Sequence, residues 1–174
     1  MAKTDSFFIR KTVNIQDDEN FYQDSIDLGA YVDALGKAVL RIHNVALNYT
    51  QSDGKPLEIA GSTNGTSAVA ATQLTTQTQT GMVLSSNKSV VASGHLNAYV
   101  FGTTGNAFVS ISNDALDPAP QQWTNGYLIG VEQMYFGGMA SDGWVGDVYA
   151  TIILECTSET LTKEAAMALA LSQQ

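Results

Sequence analysis

Apolar and polar positions alternate from the start of the chain. Phe7, Ile9, Lys11, Val13 and Ile15 interleave with Phe8, Arg10, Thr12 and Asn14. A period of 2 sends successive side chains to opposite faces, so this run predicts a strand with one buried face. The acidic stretch Asp17–Asn20 reads as a loop. Phe21–Leu28 predicts a weaker strand, broken at Gly29, and Tyr31–Leu35 fits either a helical turn or a loop. The signal then strengthens. Val39, Arg41, His43, Val45, Leu47 and Tyr49 alternate with Ala38, Leu40, Ile42, Asn44 and Ala46, with neither Gly nor Pro inside, which predicts one long strand over Ala38–Thr50. Asp53-Gly54 supplies the turn after it.

Gly61–Gly65 is a loop in composition. The Thr/Gln/Ala stretch over 66–80, centred on Val69 and Leu74, admits a disordered low-complexity reading and a polar strand on an exposed sheet face; the strand is favoured, because Thr suits a pleated surface and well-patterned segments lie on both sides. Met82–Leu84 and Val90–Ala92 read as a hairpin around Ser86-Asn87-Lys88. A second hairpin pairs Ala98–Phe101 with Ala107–Ile111 across Thr103-Thr104-Gly105-Asn106. Residues 113–125, with Pro118 and Pro120, form the longest loop. Tyr127–Phe136 reads as a strand bent at Gly130 and ended by Gly137-Gly138. Asp142-Gly143 makes a turn before Trp144, and Asp147–Thr157 is the strongest strand.

The pattern changes at the end. Thr162 suits an N-cap, Glu164 suits the first turn of a helix, and Lys163–Leu171 is rich in helix formers. The sum is eight or nine strands, with no helices to serve as parallel crossovers. The predicted fold is therefore all-β: an antiparallel sandwich, jelly roll or barrel of about eight strands with a short C-terminal helix. The division that follows is a flexible arm over 1–6, a β-barrel over 7–157 and a helical tail over 158–174.

Composition narrows the function. The chain has 174 residues, 44% hydrophobic and only 14% charged, so much of its surface must be Ser, Thr, Asn, Gln and Gly. Eight basic residues against 17 acidic ones leave a net charge of -9. The basic patch of a nucleic-acid binder is missing, and direct genome binding is not expected. No apolar run reaches the length of a membrane span, and the Met-Ala-Lys start lacks the apolar core of a secretion signal. The triplets at Asn48, Asn64 and Asn87 then read as chance rather than as glycosylation sites.

Candidate chemistry is sparse. Cys156, the single cysteine, sits at the flank of an apolar run and reads as a half-buried structural thiol. His43 falls mid-strand and reads as a hydrogen-bonded structural or surface residue. His95 reads as part of a Ser-Gly-His-Leu turn. No Cys or His pair has zinc spacing, and Asp17-Asp18-Glu19-Asn20 lacks the oxygen spacing of a calcium loop. Nucleotide and nucleophile motifs are missing too. The expectation is no catalytic site, no metal and no cofactor. Trp123 and Trp144, the latter beside Asp142, admit three readings: a pyranose-stacking site, an interface anchor or a filler of the barrel end.

The strand-forming start at Phe7–Ile15, the long strand Ala38–Thr50, the Thr-rich middle, the late strand Asp147–Thr157 and the helical tail Lys163–Leu171 together resemble a viral coat protein with a single jelly roll. The resemblance is architectural and spans most of the chain. It implies a structural virion protein, a major capsid protein self-assembling into an icosahedral shell and made in the host cytoplasm. The basic arm of small RNA-virus coat proteins is missing. The chain looks more like the capsid proteins of membrane-lined or DNA-packaging viruses, as a peripheral neighbour of an internal membrane. Its expected partners are copies of itself and other virion proteins. A phage tail or head-decoration protein forming a closed ring, and a carbohydrate-binding sandwich, are the alternatives. The expected contact residues are Met167, Leu169 and Leu171 of the helix, with Trp123 and Trp144. The termini are expected to join subunits while the barrel carries the fold.

Overall fold

A computed structural model of the chain describes residues 5–33, 36–61, 65–103, 106–114 and 118–173. Nine strands appear in it: β1 (Phe7–Gln16), β2 (Tyr22–Asp27), β3 (Ala38–Thr50), β4 (Ser67–Thr75), β5 (Val90–Thr103), β6 (Asn106–Asp114), β7 (Tyr127–Ile129), β8 (Gln133–Ala140) and β9 (Val148–Thr160). A 3-10 turn covers Pro120–Gln122, and helix α1 covers Lys163–Ser172. All strand pairs are antiparallel.

The strands form a four-stranded sheet, β1-β9-β3-β7, and a five-stranded sheet, β2-β8-β4-β5-β6. With β6 set aside, the pairs β1·β9, β2·β8, β3·β7 and β4·β5 nest outside-in. A long hairpin rolled onto itself produces this nesting, so the fold is a jelly roll. Strand β6 is an addition hairpinned onto β5.

The core lies between the sheets. Ile42, Leu154, Ile152, Met134 and Phe136 are fully enclosed. Inside it, the Tyr49 hydroxyl on β3 donates to the Gly94 carbonyl of β5 at 2.9 Å and lies 2.9 Å from Thr72 Oγ1 of β4, tying one sheet to the other. Burial pushes this phenol up to about 12.

Strand β3 has the predicted bounds, but a single alternation does not describe it. The register against β9 slips between Ile42 and Asn44, which makes His43 a bulge residue. Before the bulge Leu40 and Ile42 face the core; after it Val45 and Tyr49 do. Each of the two interleaved sets is therefore inward over half its length.

Four further expectations are corrected. Strand β4 exists but is not an exposed polar strand: it is central in its sheet, and Thr72, Gln73 and Thr75 are buried. Met82–Leu84 forms no strand, and Val90–Ala92 instead begins a strand that continues through Gly94 and His95 to Thr103, so His95 is mid-strand rather than in a turn. Tyr127–Phe136 is two strands in different sheets. Gly137-Gly138 lies inside β8 rather than ending it. A Cβ on Gly138 would stand 2.2 Å from the Ala71 carbonyl, so a bare backbone is required there. The predicted turn residues Thr104 and Gly105, the triplet at Asn64 and residues 1–4 of the arm lie outside the described residues.

Candidate subunit interface

His43 Nε2 lies 2.9 Å from Thr157 Oγ1. Cys156 opposes Ile42 across β3 and β9 and is fully enclosed rather than half-buried. Burial, then the nearby Glu155 charge, pushes its thiol up to about 12, so almost no thiolate forms at neutral pH. In the acidic loop, Asp18 accepts from the Asn20 backbone and side chain and from the Tyr22 hydroxyl. The Asn20 side chain, then Tyr22, holds its carboxyl below the usual range. Among the described residues no three His, Cys, Asp or Glu side chains gather as a metal site.

The distinctive features are the sheet edges. An edge strand presents unpaired N–H and C=O groups, and a folded chain must occupy or blunt them. The edges of β1 and β2 lie side by side, joined by an ion pair of 2.5 Å between Lys11 and Asp24. The edge at β7 is filled by side-chain amides. Gln173 Nε2 donates to the Leu128 carbonyl at 2.7 Å, and its Oε1 accepts the Gly130 N–H at 2.8 Å. Next along, where β3 outruns β7, Gln121 Nε2 donates to the Val45 carbonyl at 2.9 Å and its Oε1 accepts the Val45 N–H at 3.0 Å. A Gln amide carries one donor edge and one acceptor edge, so each of these residues replaces one peptide of a missing strand. Gln73 does the same for Val83, at 2.6 and 3.0 Å, and so fastens the 76–89 loop over part of the outer face of β4.

Helix α1 serves the β7 edge as well. Thr162 caps it by accepting the Ala165 N–H at 3.3 Å, as its position predicts. Its inward side is small: Ala166 and Ala170 are buried, and Leu169 lies against Gly130. Gln173 is delivered to Leu128 and Gly130 at its end. The helix thus packs on its own barrel, while Met167 and Leu171 face outward, 41% and 67% exposed. Trp123 is also exposed, beside a groove lined by Val90, Val91, Pro118 and Tyr127. Trp144 does not belong with them. It is 2% exposed, its indole N–H donates to the Val69 carbonyl at 3.1 Å, and it belongs to the core of the sandwich with only a sliver of its surface at the groove beneath β6, too little to stack on a sugar ring.

The edge at β6 is different. The five-stranded sheet is one strand wider than its partner, and β6 is its last strand. Val109 and Ile111 pair with the buried Val100 and Ala98, so they point to the inner side, yet they are 53% and 59% exposed. The inner side of the overhang is a groove of about 310 Å³, lined in part by Ile111, Leu96, Leu57 and Pro56. On the outer side Val69, Tyr99 and Phe101 are exposed. Over 67–71, 97–101 and 109–112 there is no charged residue, in a chain of net charge -9. Sequence reasoning missed this region because each strand alone is ordinary. The unequal width of the two sheets makes the patch.

The strand order defines the class: a single jelly roll with one extra strand, the architecture that the strand pattern resembles. No family profile and no curated protein matches the chain. Three solved structures with a weak likeness to the chain come from viruses. VP1 of Trichodysplasia spinulosa-associated polyomavirus, solved with sialylated glycooligomers, is 9% identical with a TM-score of 0.37, over 88% of this chain and 94% of that one. Merkel cell polyomavirus VP1, an unassembled pentamer, is 7% identical with a TM-score of 0.37, over 89% and 96%. The Cocksfoot mottle virus structure is 12% identical with a TM-score of 0.33, over 93% and 100%. Scores this low carry no argument about function, and the fold assignment rests on the strand order itself.

Proposed function

We propose that the chain is a structural virion protein, a major capsid protein whose copies build an icosahedral shell. The observation that carries this reading is the open β6 edge. A barrel that fills its β7 edge with glutamine amides leaves another edge without a covering strand among the described residues, with apolar side chains on both faces and no charged residue over 109–112. Contiguous exposed apolar surface of that kind marks a contact between proteins. The outward residues Met167 and Leu171 and the exposed Trp123 are further contact candidates, for copies of the chain or for other virion proteins. The acidic balance fits a location in the virion where another layer meets the genome.

Sedimentation velocity and negative-stain electron microscopy of the purified protein test the reading. Closed shells are the expected result. A small closed ring instead identifies a tail or head-decoration protein, and a monomer at every concentration overturns self-assembly altogether.

A further inference from the structure

We infer that β6 pairs with β6 of a second copy, continuing the five-stranded sheet across a two-fold axis. The inference rests on the self-assembly reading and specifies one of its contacts. Three observations favour a second copy as the occupant. The first is charge. A chain of net charge -9 repels its own copies, so copies meet most readily through a neutral face. The segments 67–71, 97–101 and 109–112 provide one, whereas a basic partner would be drawn to the acidic faces instead.

The second observation is self-complementarity. In a two-fold antiparallel pair centred on Ser110, Val109 of one copy opposes Ile111 of the other, and Ile111 opposes Val109. A two-fold contact requires this reciprocity. Opposed residues share a face, so the four side chains form one apolar strip on the inner side. No charged residues oppose each other over 109–111.

The third is the overhang. Val109 and Ile111 already point inward from a sheet that extends past its partner. A second copy brings its own overhang, and each covers what the other leaves bare. The joined sheet leaves neither β6 as an edge.

Ser110→Cys tests the geometry directly. Residues facing each other across antiparallel strands have Cα atoms about 4.5 to 5.5 Å apart, within disulfide reach. The native Cys156 is enclosed and does not compete. Oxidation of Ser110→Cys should therefore produce a covalent dimer, whereas Tyr99→Cys, on the outer face of β5, should not. Val109→Lys with Ile111→Lys should weaken association by at least about tenfold in sedimentation, since lysines on an edge oppose its pairing. Both positions are exposed, and an unchanged circular dichroism spectrum separates lost pairing from lost folding. If the wild type assembles while Ser110→Cys does not cross-link, or the lysine variant assembles as before, the β6 pairing is wrong and the self-assembly reading stands. If the wild type is monomeric throughout, both fall.

Discussion

The two free ends of the sheets, at β7 and at β6, pose the same physical problem and receive opposite treatment. Both present a row of backbone groups without a neighbouring strand. At β7 the chain supplies Gln173 and Gln121, each offering an amide as a surrogate peptide, and it lays α1 alongside. At β6 nothing comparable is present among the described residues, and over 109–112 the exposed side chains are apolar or small. The difference separates fold from assembly. Residues at the β7 edge belong to the stability of one molecule, and the proposed pairing gives residues at the β6 edge to what that molecule meets.

Substitutions can break or sharpen this contrast. The largest effect is expected at Gly126, just before β7. Its φ is +63°, and an added Cβ would stand 2.2 Å from the Ile42 carbonyl. Gly126→Ala should cost about 2–4 kcal/mol in urea unfolding, from backbone strain and overpacking together. Gln173→Ala comes next. It strands a buried N–H and a carbonyl at the β7 edge, so about 2–3 kcal/mol is expected in the same measurement. Gln121→Ala should cost less, about 1–2 kcal/mol, because water reaches the vacated side of Val45 more easily.

A pH-dependent effect at the β1–β2 edges is smaller again. The Lys11 ammonium holds Asp24 below its usual value, with the Ser25 N–H assisting. A carboxyl lowered on folding contributes stability above its unfolded value and loses it as pH falls through its folded value. The melting temperature of the wild type should therefore exceed that of Lys11→Met slightly near pH 7, with the gap closing as the pH falls below the ordinary carboxylate value and through the lowered one of Asp24. An equal gap at both pH values would remove the ion pair from the account. Smallest of all, Val109→Lys and Ile111→Lys should leave monomer stability within about 0.5 kcal/mol of wild type. A cost as large as that of Gln173→Ala would erase the distinction between the two edges.

Much of the fold was legible wherever one face meets the core and the other meets water. The runs Phe7–Ile15, Ala38–Thr50 and Asp147–Thr157 obey that condition, and so does the capped helix from Lys163. The reading failed where composition and environment part company. Thr72, Gln73 and Thr75 look like surface residues but are buried, because their hydroxyl and amide groups find partners at Tyr49, Val83 and the Gln77 carbonyl. Gly94 and Gly137-Gly138 look like breaks, yet strands run through them. At Gly138 the glycine serves a close backbone approach within the sheet. The bulge at His43 has no local signature. Of the expected contact residues, Met167, Leu171 and Trp123 are outward, Leu169 packs against Gly130, and Trp144 is enclosed. The β6 overhang depends on how many strands each sheet holds, which no local window of residues records.

The strand order also sets a timetable. In the four-stranded sheet every neighbour is remote in the chain, and β9 lies between β1 and β3. In the other sheet β4, β5 and β6 are consecutive and joined as a meander. Closing a short loop costs less entropy than closing a long one, so local hairpins form sooner. On a ribosome the β4–β6 meander can therefore form while β9 is still unmade. The bare β6 edge would then be present before the core that anchors it, with neighbouring nascent chains close by. Premature pairing between incomplete molecules is the hazard of that order, and slow elongation between β6 and β9 would prolong it.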